Sequence, residues 1–199
     1  AGNYRPINVT SVPGKVMESI IKDSVIEQLQ ANSSILPSQH GFFPGRSCTT
    51  NVIAYLYAIT AAVDAGLPCD AILVDFKRAF DKVPFKSMLA AVEAHGIGGH
   101  LLDWLRNWTQ GRKQRVVLNG IESSWLEVTS SVVQGSVIGP ILFIIFINHL
   151  DKYVQVAGED VHLFKDGDDS KLLQTITNES DHLNLQAAIN QLLRWCNDF

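Results

Sequence analysis

The sequence predicts an α+β fold, because stretches with helical spacing of apolar residues are mixed with two separated hairpin patterns. Val16, Met17, Ile20, Ile21, Val25 and Leu29 recur at helical spacing after the start signal Ser11-Val12-Pro13. Residues 32–46 are rich in Ser, Pro and Gly and read as a loop. A second helix is expected over residues 47–65, with Val52, Leu56, Ile59 and Val63 on one face and Gly66 as its stop. Ala71 to Val74 is a short apolar run ending in Asp75 and suits a buried strand. Pro84 can open a helix that stops near Gly96, and residues 99–110 form another short one. Val116-Val117-Leu118, Asn119-Gly120 and residues 124–128 read as a hairpin, since Asn-Gly favours the positive-φ turn that hairpins need. The apolar run after Gly139-Pro140 is assigned as helix on its length. Residues 161–164 and 171–173 flank Asp166-Gly167-Asp168-Asp169 as a second hairpin with acids at its tip, and a last helix covers residues 181–196.

The bulk composition bounds the function. Hydrophobic residues make up 46% of the 199 and charged residues 18%, enough for a buried core and incompatible with disorder. The net charge of −4 argues mildly against nucleic-acid binding, although a local basic patch can sit beside an acidic site. Cys48, Cys69 and Cys196 are scattered, without metal-ligand spacing, which suits a reducing intracellular compartment. The first residues are not a signal peptide, and the run Ile141 to Ile147 is too short to span a bilayer, so no membrane role is expected.

Two features carry chemistry. Asp75 stands at the end of an apolar strand, and Asp168-Asp169 at a hairpin tip. A carboxylate beside a core is costly unless its charge is compensated. A divalent cation does so, and Mg²⁺ favours one or two carboxylates plus substrate phosphates. Two such ions, about 4 Å apart, can activate an attacking hydroxyl and stabilise a leaving phosphate oxygen. Taken alone, Asp-Gly-Asp-Asp also reads as a plain polar turn.

Five further segments decide between these readings. In order they are Asn3-Tyr4-Arg5-Pro6-Ile7, Gln39-His40-Gly41-Phe42 with Gly45-Arg46-Ser47, the run from Asp75-Phe76-Lys77 through Phe80-Asp81 to Pro84, Gly111-Arg112-Lys113-Gln114-Arg115-Val116, and Gln134-Gly135-Ser136-Val137-Ile138-Gly139-Pro140. Together they resemble the reverse transcriptases of non-LTR (LINE-type) retrotransposons, the jockey-like group most closely, over essentially the whole chain. The resemblance implies the fingers and palm of a right-hand polymerase, with residues 1–68 mainly fingers and residues 69–199 mainly palm. A palm β-hairpin would carry the paired aspartates, and the thumb would be absent. It implies RNA-directed DNA polymerase activity, joining dNTPs to a DNA primer on an RNA template with two Mg²⁺ ions, for which Mn²⁺ can substitute. Nuclear and cytoplasmic locations are both compatible with it. Asp75, Asp168 and Asp169 look like its metal ligands and catalytic carboxylates. Phe80 looks like the ring under the sugar that excludes a 2′-hydroxyl. Gln134 and Gly135 look like the loop that touches nucleotide and template, and Arg5 and Arg46 are candidates for gripping the triphosphate, a task that suits the guanidinium fork.

The chain departs from the family at five places. Asp166 and Gly167 replace the aromatic and alanine before the aspartate pair, Val133 a proline, His149 an aspartate and Phe85 a histidine. An acid at 166 adds like charge beside Asp168. These departures sustain an alternative reading, a decayed domain that binds nucleic acid or a partner without chemistry. An RNA-dependent RNA polymerase, suggested by Gly167-Asp168-Asp169, ranks lower, because Phe80 and the Gln134-Gly135-Ser136 loop do not suit a ribose substrate. Arg112, Lys113 and Arg115 suit either a nucleic-acid backbone or a charged edge strand.

Overall fold

The computed structural model describes residues 8–156 and 160–198, and it is α+β. Helix α1 (Val12–Ala31) begins on Ser11, whose side chain accepts from the Gly14 amide, with a proline in its first turn. Helix α2 (Cys48–Asp64) begins on a capping box in which Ser47 and Thr50 satisfy one another's backbone amides. Strand β1 (Cys69–Val74) leads into the one-turn helix α3 (Ala79–Lys82), followed by α4 (Phe85–Ala94) and α5 (Gly99–Thr109). Pro84 is the N-cap of α4 rather than its first residue. An arm of two-residue ladders follows: β2 (Lys113–Gln114) pairs with β5 (Leu126–Glu127), and β3 (Val117–Leu118) with β4 (Ile121–Glu122). Asn119 and Gly120 turn it at φ 51° and 78°, the positive values that the sequence called for. Helices α6 (Gly139–Ile147) and α7 (Leu150–Gln155), strands β6 (His162–Asp166) and β7 (Asp169–Thr175), and α8 (Glu179–Asp198) complete the chain.

The main sheet has the order β1-β7-β6, antiparallel throughout. Ile72, Val74, Leu163 and Leu172 face a core built on α6 and the Leu185, Ala188, Leu192 and Trp195 side of α8. Residues 141–147 are all buried, as expected of a helix that is apolar on every side. Leu101, Trp104 and Trp108 pack against the same core. Helix α2 lies over the other face, where the Tyr55 ring meets Phe164 edge-on at 5.6 Å and Asn51 Oδ1 accepts from Lys171 Nζ at 2.5 Å.

Two expected faces are corrected. On α2 the packed side is that of Asn51, Tyr55 and Ala62, while Val52, Leu56 and Val63 are exposed. On α1 only Val25 and Leu29 of the apolar series are buried, and Val16, Met17 and Ile20 are exposed. Helical spacing identifies a stripe, but it does not say which part of the stripe meets a neighbour.

The free edge of β6 is covered by residues 38–40. Lys165 N–H donates to Ser38 O at 2.7 Å, and His40 N–H donates to Lys165 O at 2.8 Å. The Lys165 side chain points into the core, fully buried, and forms an ion pair with Asp151 of α7. Ser38 Oγ donates to the other oxygen of that carboxylate. Burial pushes the Lys165 ammonium below its ordinary value, against the pull of Asp151. Removing one partner strands a buried charge. Lys165→Ala is therefore expected to destabilise the chain by about 3–5 kcal/mol, whereas Lys165→Met with Asp151→Leu should recover most of that loss. Urea unfolding of the three forms measures it.

Candidate active site

The expected acids lie at one end of the main sheet. β1 runs out at Val74, which sits opposite Ser170. Val74 and Ser170 face the core; Asp75 is the next residue after β1, and Asp169, next to Ser170 on β7, turns to the opposite face. Both carboxylates are exposed. Asp166 sits opposite Asp169 at the end of β6, and Gly167 and Asp168 make the two-residue turn. Register thus sets Asp166 and Asp169 side by side, with Asp168 in the turn, at the end of the sheet where β1 runs out just before Asp75. Among the described residues, no three His, Cys, Asp or Glu side chains gather into a metal-holding cluster. A substrate-completed Mg²⁺ site does not require one, because one or two carboxylates suffice when phosphates supply the remaining oxygens. The exposed oxygen donors of Asp75 and Asp169 suit that ion.

The turn is held by the loop before α2. Gln39 is fully buried. Its Oε1 accepts from Gly167 N at 3.0 Å and Gly41 N at 2.8 Å, and its Nε2 faces Gly167 O at 3.4 Å. A Cβ on Gly41 would lie 2.2 Å from Gly167 N, so only glycine lets the two backbones approach this closely. Asp166, in place of the family's aromatic, lies near the Cys48 thiol at the start of α2 and raises that thiol above its ordinary value. His40, hydrogen-bonded to Thr50 at 2.8 Å, is lowered by burial and by Arg46, against the pull of Asp166.

Phe80 stacks on Phe143 of α6, with centroids 4.3 Å apart and planes 14° apart, and meets Phe42 edge-on at 6.2 Å. The loop before α6 is tied to the segment that carries Phe80. Val132 N donates to Phe80 O at 2.7 Å, Ser131 N to Val83 O at 3.0 Å, and Ser130 Oγ to Asp81 O at 2.9 Å. Gln134 Nε2 donates to Asp81 Oδ1 at 2.7 Å. Gly135 has φ +92°, and a Cβ there would meet Asn8 O at 2.5 Å. Phe80, Gln134 and Gly135 therefore belong to one connected unit.

The two arginines differ. Arg5 lies outside the described residues. Arg46 directs its guanidinium at the loop itself, with Nη1 donating to Leu36 O and Gln39 O, both at 2.6 Å, and its plane near Phe43. In the arm, Arg112 lies 5.6 Å from the Phe85 ring, and Arg115 lies over Trp125 and pairs with Glu122. Nothing in the sequence of the Gln39-to-Phe42 segment assigns its members a role. The buried Gln39 was the signal, but only the partner 128 residues away makes it legible.

This sheet, with helices on both faces, defines a mixed α+β domain whose fold is shared with apo telomerase from Candida tropicalis truncated from its C-terminal domain. The TM-score is 0.65 at 14% identity, over 89% of this chain and 38% of that one. The chain belongs to the reverse transcriptase (RNA-dependent DNA polymerase) family, whose model matches residues 1–199. It is similar to the probable RNA-directed DNA polymerase from transposon BS of Drosophila melanogaster, 27% identical across 98% of this chain and 22% of the relative. It is similar as well to that from transposon X-element of the same species, 25% identical across 72% and 16%, and to that from the mobile element jockey of Drosophila funebris, 24% identical across 78% and 17%. These relatives make it a distant homologue of jockey-like non-LTR reverse transcriptases, and it spans 16% to 22% of their length. Among its described residues no helix is long and apolar enough to cross a membrane.

The turn generates a prediction. Gly167 has φ +67°, and a Cβ there would lie 2.8 Å from the Phe42 ring. Gly167→Ala, although it restores the family's residue, should cost at least about 1–2 kcal/mol through the left-handed backbone alone. Adding Phe42→Ala should remove the steric part of the loss, as read by thermal unfolding of both variants.

Proposed function

We propose that the chain is the fingers and palm part of an RNA-directed DNA polymerase that adds dNTPs to the 3′-hydroxyl of a DNA primer on an RNA template during retrotransposition, with residues 1–68 mainly fingers and residues 69–199 mainly palm. The observation that supports this reading is the β1–β7 ladder, whose last pair, Val74 and Ser170, leaves Asp75 and Asp169 next along their strands at the end where the Asp168 turn lies. Asp75, Asp168 and Asp169 would hold two Mg²⁺, or Mn²⁺ in its place, and that pair supplies, when bound, activation of the primer hydroxyl and stabilisation of the leaving phosphate oxygen.

The remaining roles are positional, as phosphoryl transfer depends mostly on positioning and electrostatics. Phe80, backed by Phe143 and flanked by Phe42, presents a fixed ring where a 2′-hydroxyl would have to fit. Gln134 and Gly135, braced by Asp81 and Asn8, form the wall that faces nucleotide and template. Arg5 remains a triphosphate candidate. Arg46 could join it only by releasing the carbonyls of Leu36 and Gln39. Asp166 favours the second reading, a remnant that binds without chemistry, because it puts a negative charge where a primer phosphate would approach.

Single-nucleotide addition to a DNA primer on an RNA template, in Mg²⁺ and in Mn²⁺, separates the two. The chain is net −4, and duplex affinity comes largely from cationic contacts, so short, distributive products are expected. Asp75→Asn and Asp169→Asn should each reduce the rate by at least about 100-fold without loss of folding. Addition that survives both substitutions refutes the carboxylate assignment, processive synthesis by the unmodified chain refutes the expected weak grip, and a folded but inert chain supports the remnant. Phe80→Val should raise the rNTP-to-dNTP ratio of kcat/KM by about 10-fold or more. An unchanged ratio would leave Phe80 as core alone.

A further inference from the structure

Glu18 on α1 is 3% exposed, and among the described residues it forms no ion pair. Its Oε2 accepts from the backbone N–H of Val137 at 2.6 Å, and its Oε1 from Trp108 Nε1 at 3.3 Å. A carboxylate taken out of water without a cation is costly, and short bonds from N–H donors are what offset that cost. If Glu18 served only to seat α1 on the core, an apolar side chain would do so with no charge to desolvate. The shorter of its two bonds goes instead to the loop that precedes α6. Val137 stands three residues after Gln134, whose side chain donates to Asp81 at 2.7 Å. Its neighbour Ser136 accepts from Gly139 N at 3.0 Å, at the start of α6. The loop is thus held at two positions by carboxylates, Gln134 by Asp81 and Val137 by Glu18.

We infer that Glu18 is a positioning residue: its carboxylate fixes Val137, and through Val137 keeps Gln134 on Asp81 and the loop in one arrangement. The consequence for nucleotide binding rests on the role proposed above for Gln134 and Gly135. The positioning itself does not.

Two readouts on the 199-residue chain keep these apart. Amide hydrogen exchange at Val137 reports the latch, and binding of a fluorescent N-methylanthraniloyl-dATP in Mn²⁺ reports the nucleotide site. Glu18→Ala should speed Val137 exchange and weaken nucleotide binding, each by about 10-fold or more, the size expected for loss of one hydrogen bond to a charged group. Glu18→Gln keeps a carbonyl oxygen for Val137 and should return both to within about 3-fold of the parent. Trp108→Phe removes the indole N–H and should leave both unchanged. If Glu18→Ala does not fold, Glu18→Asp replaces it, since the shorter reach should release Val137 while keeping the charge. Unchanged Val137 exchange without the Glu18 carboxylate, or an equal effect from Trp108→Phe, overturns the inference. Failure of the parent chain to bind the nucleotide counts against the polymerase reading alone, and Val137 exchange then decides the positioning.

Discussion

β7 is paired on both edges, with β1 on one side and β6 on the other, and each ladder constrains the other. Along β7, Ser170 and Leu172 turn to the core while Asp169 and Lys171 turn away. A slip of one residue would exchange these sets, putting two charged side chains against α6 and α8 and two core-facing ones outside. The hydrophobic demand of the core therefore sets which residues of β7 face outward, Asp169 among them, and fixes the point at which β1 ends just before Asp75. No specific attraction between the acids is needed to bring them together. Their repulsion is overruled by the burial of Ile72, Val74 and Leu172 on the other side.

The second constraint is polar. Residues 32–47 make no regular element of their own, yet they determine the edge of β6 and the shape of its turn. One buried side chain of this loop and two that meet it from α2 and β6 do this. Gln39 bonds to Gly167, Asn51 Nδ2 donates to Lys165 O at 3.1 Å, and Lys165 reaches through to Asp151. Each would be destabilising if unpaired, and each is satisfied by a segment more than a dozen residues away. Such a network favours a single arrangement of loop and hairpin, because any other leaves a buried donor or acceptor bare.

How much of this was legible in the sequence follows from the range of the interactions. Caps, periodicity and turn residues act over a few residues, and so the longer helices, the acid-tipped hairpin and the Asn119-Gly120 turn were readable, whereas the short helix α7 was not expected and Val117-Leu118 pairs with Ile121-Glu122 rather than with residues 124–128. The one-turn helix α3 was missed, since four residues carry no periodicity. The exposed side of α2 was misjudged, because Val52, Leu56 and Val63 form a good apolar stripe and only the sheet decides that Asn51 and Tyr55 pack instead. The strand-end and hairpin-tip positions of Asp75 and Asp168-Asp169, with the family resemblance that also singles out Phe80, marked the candidate site, while the residues that shape it, Gln39, Glu18 and Asp81, were invisible as such. Their partners lie 128, 119 and 53 positions away.

The acidic turn raises one more physical question, how Asp166, Asp168 and Asp169 are tolerated so close together. Part of the answer lies in α2. Its first residue, Cys48, places its thiol near Asp166, and the unpaired amides of a helix N-terminus favour nearby negative charge. Lys171, two residues along β7 from Asp169, adds a cation on the same face, and Asn51 and the Tyr55 ring hold it there. With the backbone of Gly167 already fixed by Gln39, the turn takes its shape from contacts within the chain. The geometry of the carboxylate end is consequently a property of the folded polypeptide, organised by the loop and by α2.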